Sequence, residues 1–68
     1  MSDALMSTIA RLKKEYPGVM VRVIETATVR AGSDQIEWEY RIVVPKYGIL
    51  EMSEDLSDVL QKVLERRR

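Results

Sequence analysis

An α+β fold in the order α-β-β-α is predicted by three features of the sequence. Side chains alternate apolar and polar with period two from Val19 to Pro45; the phase of that alternation reverses about Gly32-Ser33; and an apolar stripe of helical spacing flanks the region on each side. With 68 residues there is room for one core only, so residues 1–68 form a single domain.

The first helix is expected over about residues 3–16. Ser2 or Asp3 supplies an N-cap, and Leu5, Ile9, Leu12 and Tyr16 form the apolar stripe. Arg11, Lys13 and Lys14 fall in its later turns, where positive charge suits the negative end of the helix dipole. That explains these cations better than a membrane or nucleic-acid surface does. Pro17-Gly18 then ends the helix.

Two strands follow, over about 19–30 and 35–45. In the first, Val19, Val21, Val23, Ala27 and Val29 are apolar; in the second, the set is Ile36, Trp38, Tyr40, Ile42 and Val44. Opposed residues of an antiparallel pair share a face, so the odd positions of one strand must meet the even positions of the other. With Gly32-Ser33 as the central residues of a type II′ turn, Val29 opposes Ile36, Ala27 opposes Trp38, Val23 opposes Ile42 and Val21 opposes Val44. The same register sets Glu25 opposite Tyr40 on the apolar side, where it is the one residue that breaks the pattern. A carboxylate so placed is a weak candidate for chemistry, because no nucleophile or base accompanies it.

The connection from Lys46 to Met52 is too apolar for an ordinary loop. Ile49 to Met52 is either a short strand or an extended segment packed along the core, and both readings stay open. Ser53 is the expected N-cap of a final helix over about 54–65, with Glu54, Asp55 and Asp58 in its first turns and Leu56, Val59, Leu60, Val63 and Leu64 as its stripe.

Energetics, geometry and edge exposure each favour a homodimer. In a chain this short, apolar burial barely offsets roughly 1.5 kcal/mol of ordering entropy per residue, and no cysteine or histidine is present to staple the fold. A two-stranded ribbon is about 10 Å wide, whereas two helices side by side need roughly 20 Å. A lone hairpin also leaves two unpaired edges. Two hairpins paired edge to edge give a four-stranded sheet with both helices of each copy on one face. The competing arrangement is a monomer with a third strand at Ile49 to Met52 and one helix on the sheet. Met20, Ile24, Val43, Ile49 and Leu50 are the candidate interface residues. The far end of the hairpin, Val29 to Ile36 with Trp38, outreaches the helices and is expected either to be covered by a partner or to project as an arm.

Composition narrows function without assigning it. Hydrophobic residues at 46% and charged residues at 32% are values of a globular chain. The lack of cysteine and histidine removes thiolate and imidazole metal sites and the usual general base. The three glycines each serve a turn or a helix stop, so no phosphate-binding loop is present. No catalytic, cofactor-binding or metal-binding residues are assigned. No apolar run reaches the roughly 20 residues a membrane helix needs, and the N-terminus does not read as a signal peptide, so a cytoplasmic location is expected. The leading reading is a small, non-catalytic protein-interaction or regulatory module acting as a homodimer. The alternative is a dimeric nucleic-acid-binding module using Arg22, Arg30, Arg41, Arg66, Arg67 and Arg68; a formal net charge of zero weighs against it.

Overall fold

The computed structural model describes residues 3–66; Met1, Ser2, Arg67 and Arg68, and with them the Ser2 cap and the end of the arginine tail, lie outside the described residues. The chain runs α1 (Asp3–Glu15), β1 (Arg22–Val29), β2 (Ile36–Val44), β3 (Ile49–Ser53) and α2 (Leu56–Arg66), with one 3-10 turn at Pro45–Tyr47. The α+β class holds. The sheet has three strands in the order β1-β2-β3, all antiparallel.

The β1–β2 register is the one the alternation predicts: Val23 opposes Ile42, Glu25 opposes Tyr40, Ala27 opposes Trp38 and Val29 opposes Ile36. Pairing begins at Arg22, so Val19 to Val21 lead into the strand instead of belonging to it. The turn differs from the expected type II′ at Gly32-Ser33. The Ser33 amide donates to the Arg30 carbonyl at 3.1 Å, which makes Ala31 and Gly32 the central pair. Gly32 has φ +83°, the value a type II turn requires at its second central position. The Ser33 hydroxyl accepts from the Gln35 amide at 3.1 Å, and this local bond holds Ser33 and Gln35 out of the ladder.

The open question about Ile49 to Met52 is resolved as a strand. Pro45 presets the backbone of the 3-10 turn, and Gly48 closes it at φ +64°, donating its amide to the Pro45 carbonyl at 3.1 Å. The reversal is tight enough for β3 to pair at once, Val44 with Ile49 and Tyr40 with Ser53. Ser53 therefore ends a strand instead of capping a helix. Asp55 is the cap: its carbonyl accepts the first helical bond from Val59 at 3.1 Å, and its carboxylate accepts from the Ser57 amide at 3.3 Å.

The core sits at one end of the molecule. Leu12 and Tyr16 of the first helical segment, Ile42, Val44 and Ile49 of the sheet, and Leu56, Val59 and Val63 of α2 are buried together. Val23, Tyr40 and Leu60 pack around them. Fully burying a side chain of this size contributes roughly 1.5–3 kcal/mol, so this cluster is the main source of stability. α2 lies over β2 and β3, while α1 packs chiefly against α2. The third strand thus widens the platform within one chain: the sheet has the three strands of the competing arrangement, with α2 over it, and not the two strands per copy on which a four-stranded sheet was expected. β1 gains little cover from α1. The molecule measures 43 × 24 × 18 Å, its long axis reflecting the hairpin that runs out beyond the core.

Candidate interaction surfaces

Beyond the Glu25–Tyr40 pair the sheet narrows to a two-stranded arm, because β3 stops at Ser53 opposite Tyr40. One side of the arm is polar, with Thr26 and Thr28 facing Glu39 and Glu37. The other carries Ala27, Val29, Ile36 and Trp38, continuous with the face that packs under α2 at the base. No helix covers them: Val29 is 66% exposed, Ile36 50% and Trp38 44%. Within one chain the hairpin does outreach the helices, as the strand length predicts.

The outer face of the sheet is a second uncovered surface. Cross-strand rows place Val43 between Arg22 and Leu50, and Arg41 between Ile24 and Met52. Ile24, Leu50 and Met52 are exposed, Met20 stands just outside the ladder, and Val43 is half-buried among them. Four of the five candidate interface residues meet here. Ile49, grouped with them from the sequence, lies on the opposite face, in the core beneath α2. Met52 takes its place, and the alternation Ile49-in, Leu50-out, Glu51-in, Met52-out was the signal for it once β3 is a strand.

Between α1 and the start of β1 runs a groove of about 580 Å³, lined by Ile9, Leu12, Lys13, Tyr16, Val21 and Val23 among others. It exists because α1 leans toward α2 and stands off β1. Sequence periodicity gave no sign of it, since the stripe of α1 is the same whether the helix is seated on β1 or beside it. A smaller hollow of about 490 Å³ lies between Glu15, Tyr16, Tyr47 and Arg66. The two rings there are 5.8 Å apart at 42°, and the charged groups are committed elsewhere, Glu15 to Arg11 at 3.1 Å and Arg66 to Glu51 at 2.8 Å.

Among the described residues the candidate nucleic-acid contacts are spread along the molecule, with only Arg22 and Arg41 close together, in adjacent rows of the outer face. Arg41 binds Glu39 at 2.8 Å, Arg30 lies 3.8 Å from Glu37 at the arm tip, and Arg66 closes onto Glu51 at the far end of the molecule. Arg22 approaches the Met20 sulfur at 4.0 Å. Exposed ion pairs like those of Arg30, Arg41 and Arg66 contribute little stability, but each offsets the local field that a phosphate would feel, whereas the neutral Met20 sulfur leaves the charge of Arg22 in place. Glu25 is exposed and not buried as the pattern break suggested; its partner is Tyr40. The hydroxyl of Tyr40, a half-buried residue, is held above its ordinary value by desolvation first, then by the charge of Glu25 and a hydrogen bond to it, and by Asp55. At the start of α2, Asp58 accepts from the Ser53 hydroxyl at 2.7 Å and faces Lys62 at 3.4 Å, which lowers its carboxyl below the usual range against the cost of desolvation.

Among the described residues no group of three or more His, Cys, Asp or Glu is placed to hold a metal, and no helix is long and apolar enough to cross a membrane. Comparison with protein-family models, with curated proteins and with solved structures gave no match.

Proposed function

We propose that the protein is a small, non-catalytic protein-interaction or regulatory module that works as a homodimer. The observation that carries this reading is the uncovered apolar surface on both sides of one small sheet: Val29, Ile36 and Trp38 on the arm, and Ile24, Leu50 and Met52 on the outer face. Side chains of this kind, gathered in cross-strand rows and rimmed by Arg22, Arg41 and Glu39, are what a protein-binding face presents. Two separate surfaces allow one to join the copies and the other to receive a partner. The ionisable groups support a binding role over catalysis, because they pair with one another on the exposed surface, Arg30 with Glu37, Arg41 with Glu39 and Arg66 with Glu51.

Light scattering after size exclusion, repeated over a tenfold range of concentration, tests the reading. A mass of two chains is the expected result, and a monomer throughout the range would overturn it. The nucleic-acid alternative predicts binding to DNA or RNA that weakens steeply with salt. The pairing of Arg30, Arg41 and Arg66 with glutamates favours the protein-binding reading, under which no such salt dependence is expected.

A further inference from the structure

The proposed homodimer leaves open which edge and which surface join the copies, and the inference that follows rests on that reading. Two sheet edges are available. The edge of β3 spans five residues, and Lys62 already donates to the Met52 carbonyl there at 3.3 Å. The edge of β1 spans eight residues and is bordered by the apolar groove beneath α1. An unpaired strand beside an open apolar groove is a template for another strand.

Side-chain parity and charge leave registers centred on Val23, Ile24 or Ala27, and of these the Ile24 register is the one that sets Val29 directly opposite Val19 at the groove. A two-fold antiparallel pairing of β1 with itself must be centred on a residue, so that like faces meet. Centring on Glu25 sets two carboxylates directly opposite each other, and centring on Thr26 sets Arg22 opposite Arg30. Centring on Ile24 opposes no like charges. It matches Arg22 with Thr26, Val23 with Glu25, Val21 with Ala27 and Val19 with Val29 of the other copy. This register also answers the two features that a single chain leaves unexplained. Val29 of each arm arrives beside Val19 and Val21, at the groove of the other copy. Ile36 and Trp38, one strand further out, come to the flank of α1 that carries Met6, Ile9 and Lys13 at helical spacing. Met6 is itself 48% exposed. Charge agrees as well, since Glu25 of one copy comes beside Val23 of the other, which lines the same groove as Lys13.

We propose that two copies join through their β1 edges, antiparallel and centred on Ile24, so that the apolar side of each arm lies against α1 and the groove of the other copy. The result is one continuous sheet of six strands, two from each copy's arm and base shared across the axis with the third strands outermost. Each contact is made twice, and the arms cease to be exposed. The Ile24 side chains meet on the outer face and join its two apolar patches into one band, which becomes the surface left for a partner protein.

The chain has no cysteine and one tryptophan, on the arm, which makes two clean readouts possible. Ile24→Cys should cross-link into a covalent dimer on mild oxidation, because opposed strand residues lie within disulfide reach, whereas Thr26→Cys should not. Trp38 emission should move to shorter wavelength as concentration rises through the association range. Val29→Lys should weaken association about tenfold or more while leaving the isolated chain folded by circular dichroism. Cross-linking of Thr26→Cys in place of Ile24→Cys, or a dimer whose Trp38 emission does not change on dilution, would overturn this arrangement while the homodimer itself stands. A chain that is monomeric at every concentration would overturn both.

Discussion

The base and the arm of the β1–β2 hairpin are built from the same alternation, yet they end in opposite environments. At the base, Ile42 and Val44 are fully buried under α2; in the arm, Ile36 and Trp38 on the same side of the same strand stand in solvent. Side-chain period decides which face of a strand is apolar. What covers that face is decided by the length and position of other elements, here by a helix that ends before the hairpin does. Apolar pattern and burial are thus separate facts, and where they part company an interaction surface is left.

The largest test of that contrast is truncation at the two ends. Ile42→Ala should cost about 3 kcal/mol in urea-induced unfolding, because it empties a fully enclosed site, while Ile36→Ala should stay within about 0.5 kcal/mol in the isolated chain. Equal costs would mean the arm is packed within one copy. A smaller effect separates the two glycine turns. Both Gly48 and Gly32 have positive φ, so alanine at either is strained by roughly 1–2 kcal/mol. Gly48→Ala should lower global stability by about that amount because β3 pairs immediately after it, whereas Gly32→Ala should cost less, the arm tip fraying to relieve the strain.

The smallest effects are electrostatic, and they fall on opposite limbs of the pH curve at two groups joined through Ser53 near the root of the arm. Asp58 has its carboxyl lowered in the folded chain, so its contribution is present above the ordinary carboxylate range and fades as pH falls through the folded value. Asp58→Asn should flatten the acid limb of a stability–pH curve. Tyr40, at the root of the arm, has its hydroxyl raised, so the neutral form is favoured and its contribution is lost as pH rises past the ordinary tyrosine value, about 10. Tyr40→Phe should flatten the alkaline limb instead.

The hairpin register was legible because Val29, Ala27 and Val23 have apolar partners in only one phase. The third strand was half legible: Ile49 to Met52 is too apolar for an ordinary loop, but four residues are too few to separate a strand from an extended segment until the Gly48 turn is seen to deliver them to the edge of β2. Ser53 misled as a cap because Asp55, two residues later, competes for the same role and wins once Ser53 is held by the ladder. The outer face was found through Met20, Ile24, Val43 and Leu50, while the groove was not, since it depends on where α1 comes to rest and not on which of its residues are apolar.

Because β3 stops opposite Tyr40, β2 changes character part-way along its length. From Tyr40 to Val43 it is a central strand with both neighbours in place; from Ile36 to Glu39 it is an edge. Amide hydrogen exchange in the isolated chain should register that change within a single strand. Protection should be continuous at the base and reach the global limit there. In the arm it should drop to every second amide, those bonded to β1, and to a rate set by local opening. One strand therefore carries two lifetimes, and the short-lived half is the half left free to exchange its partner.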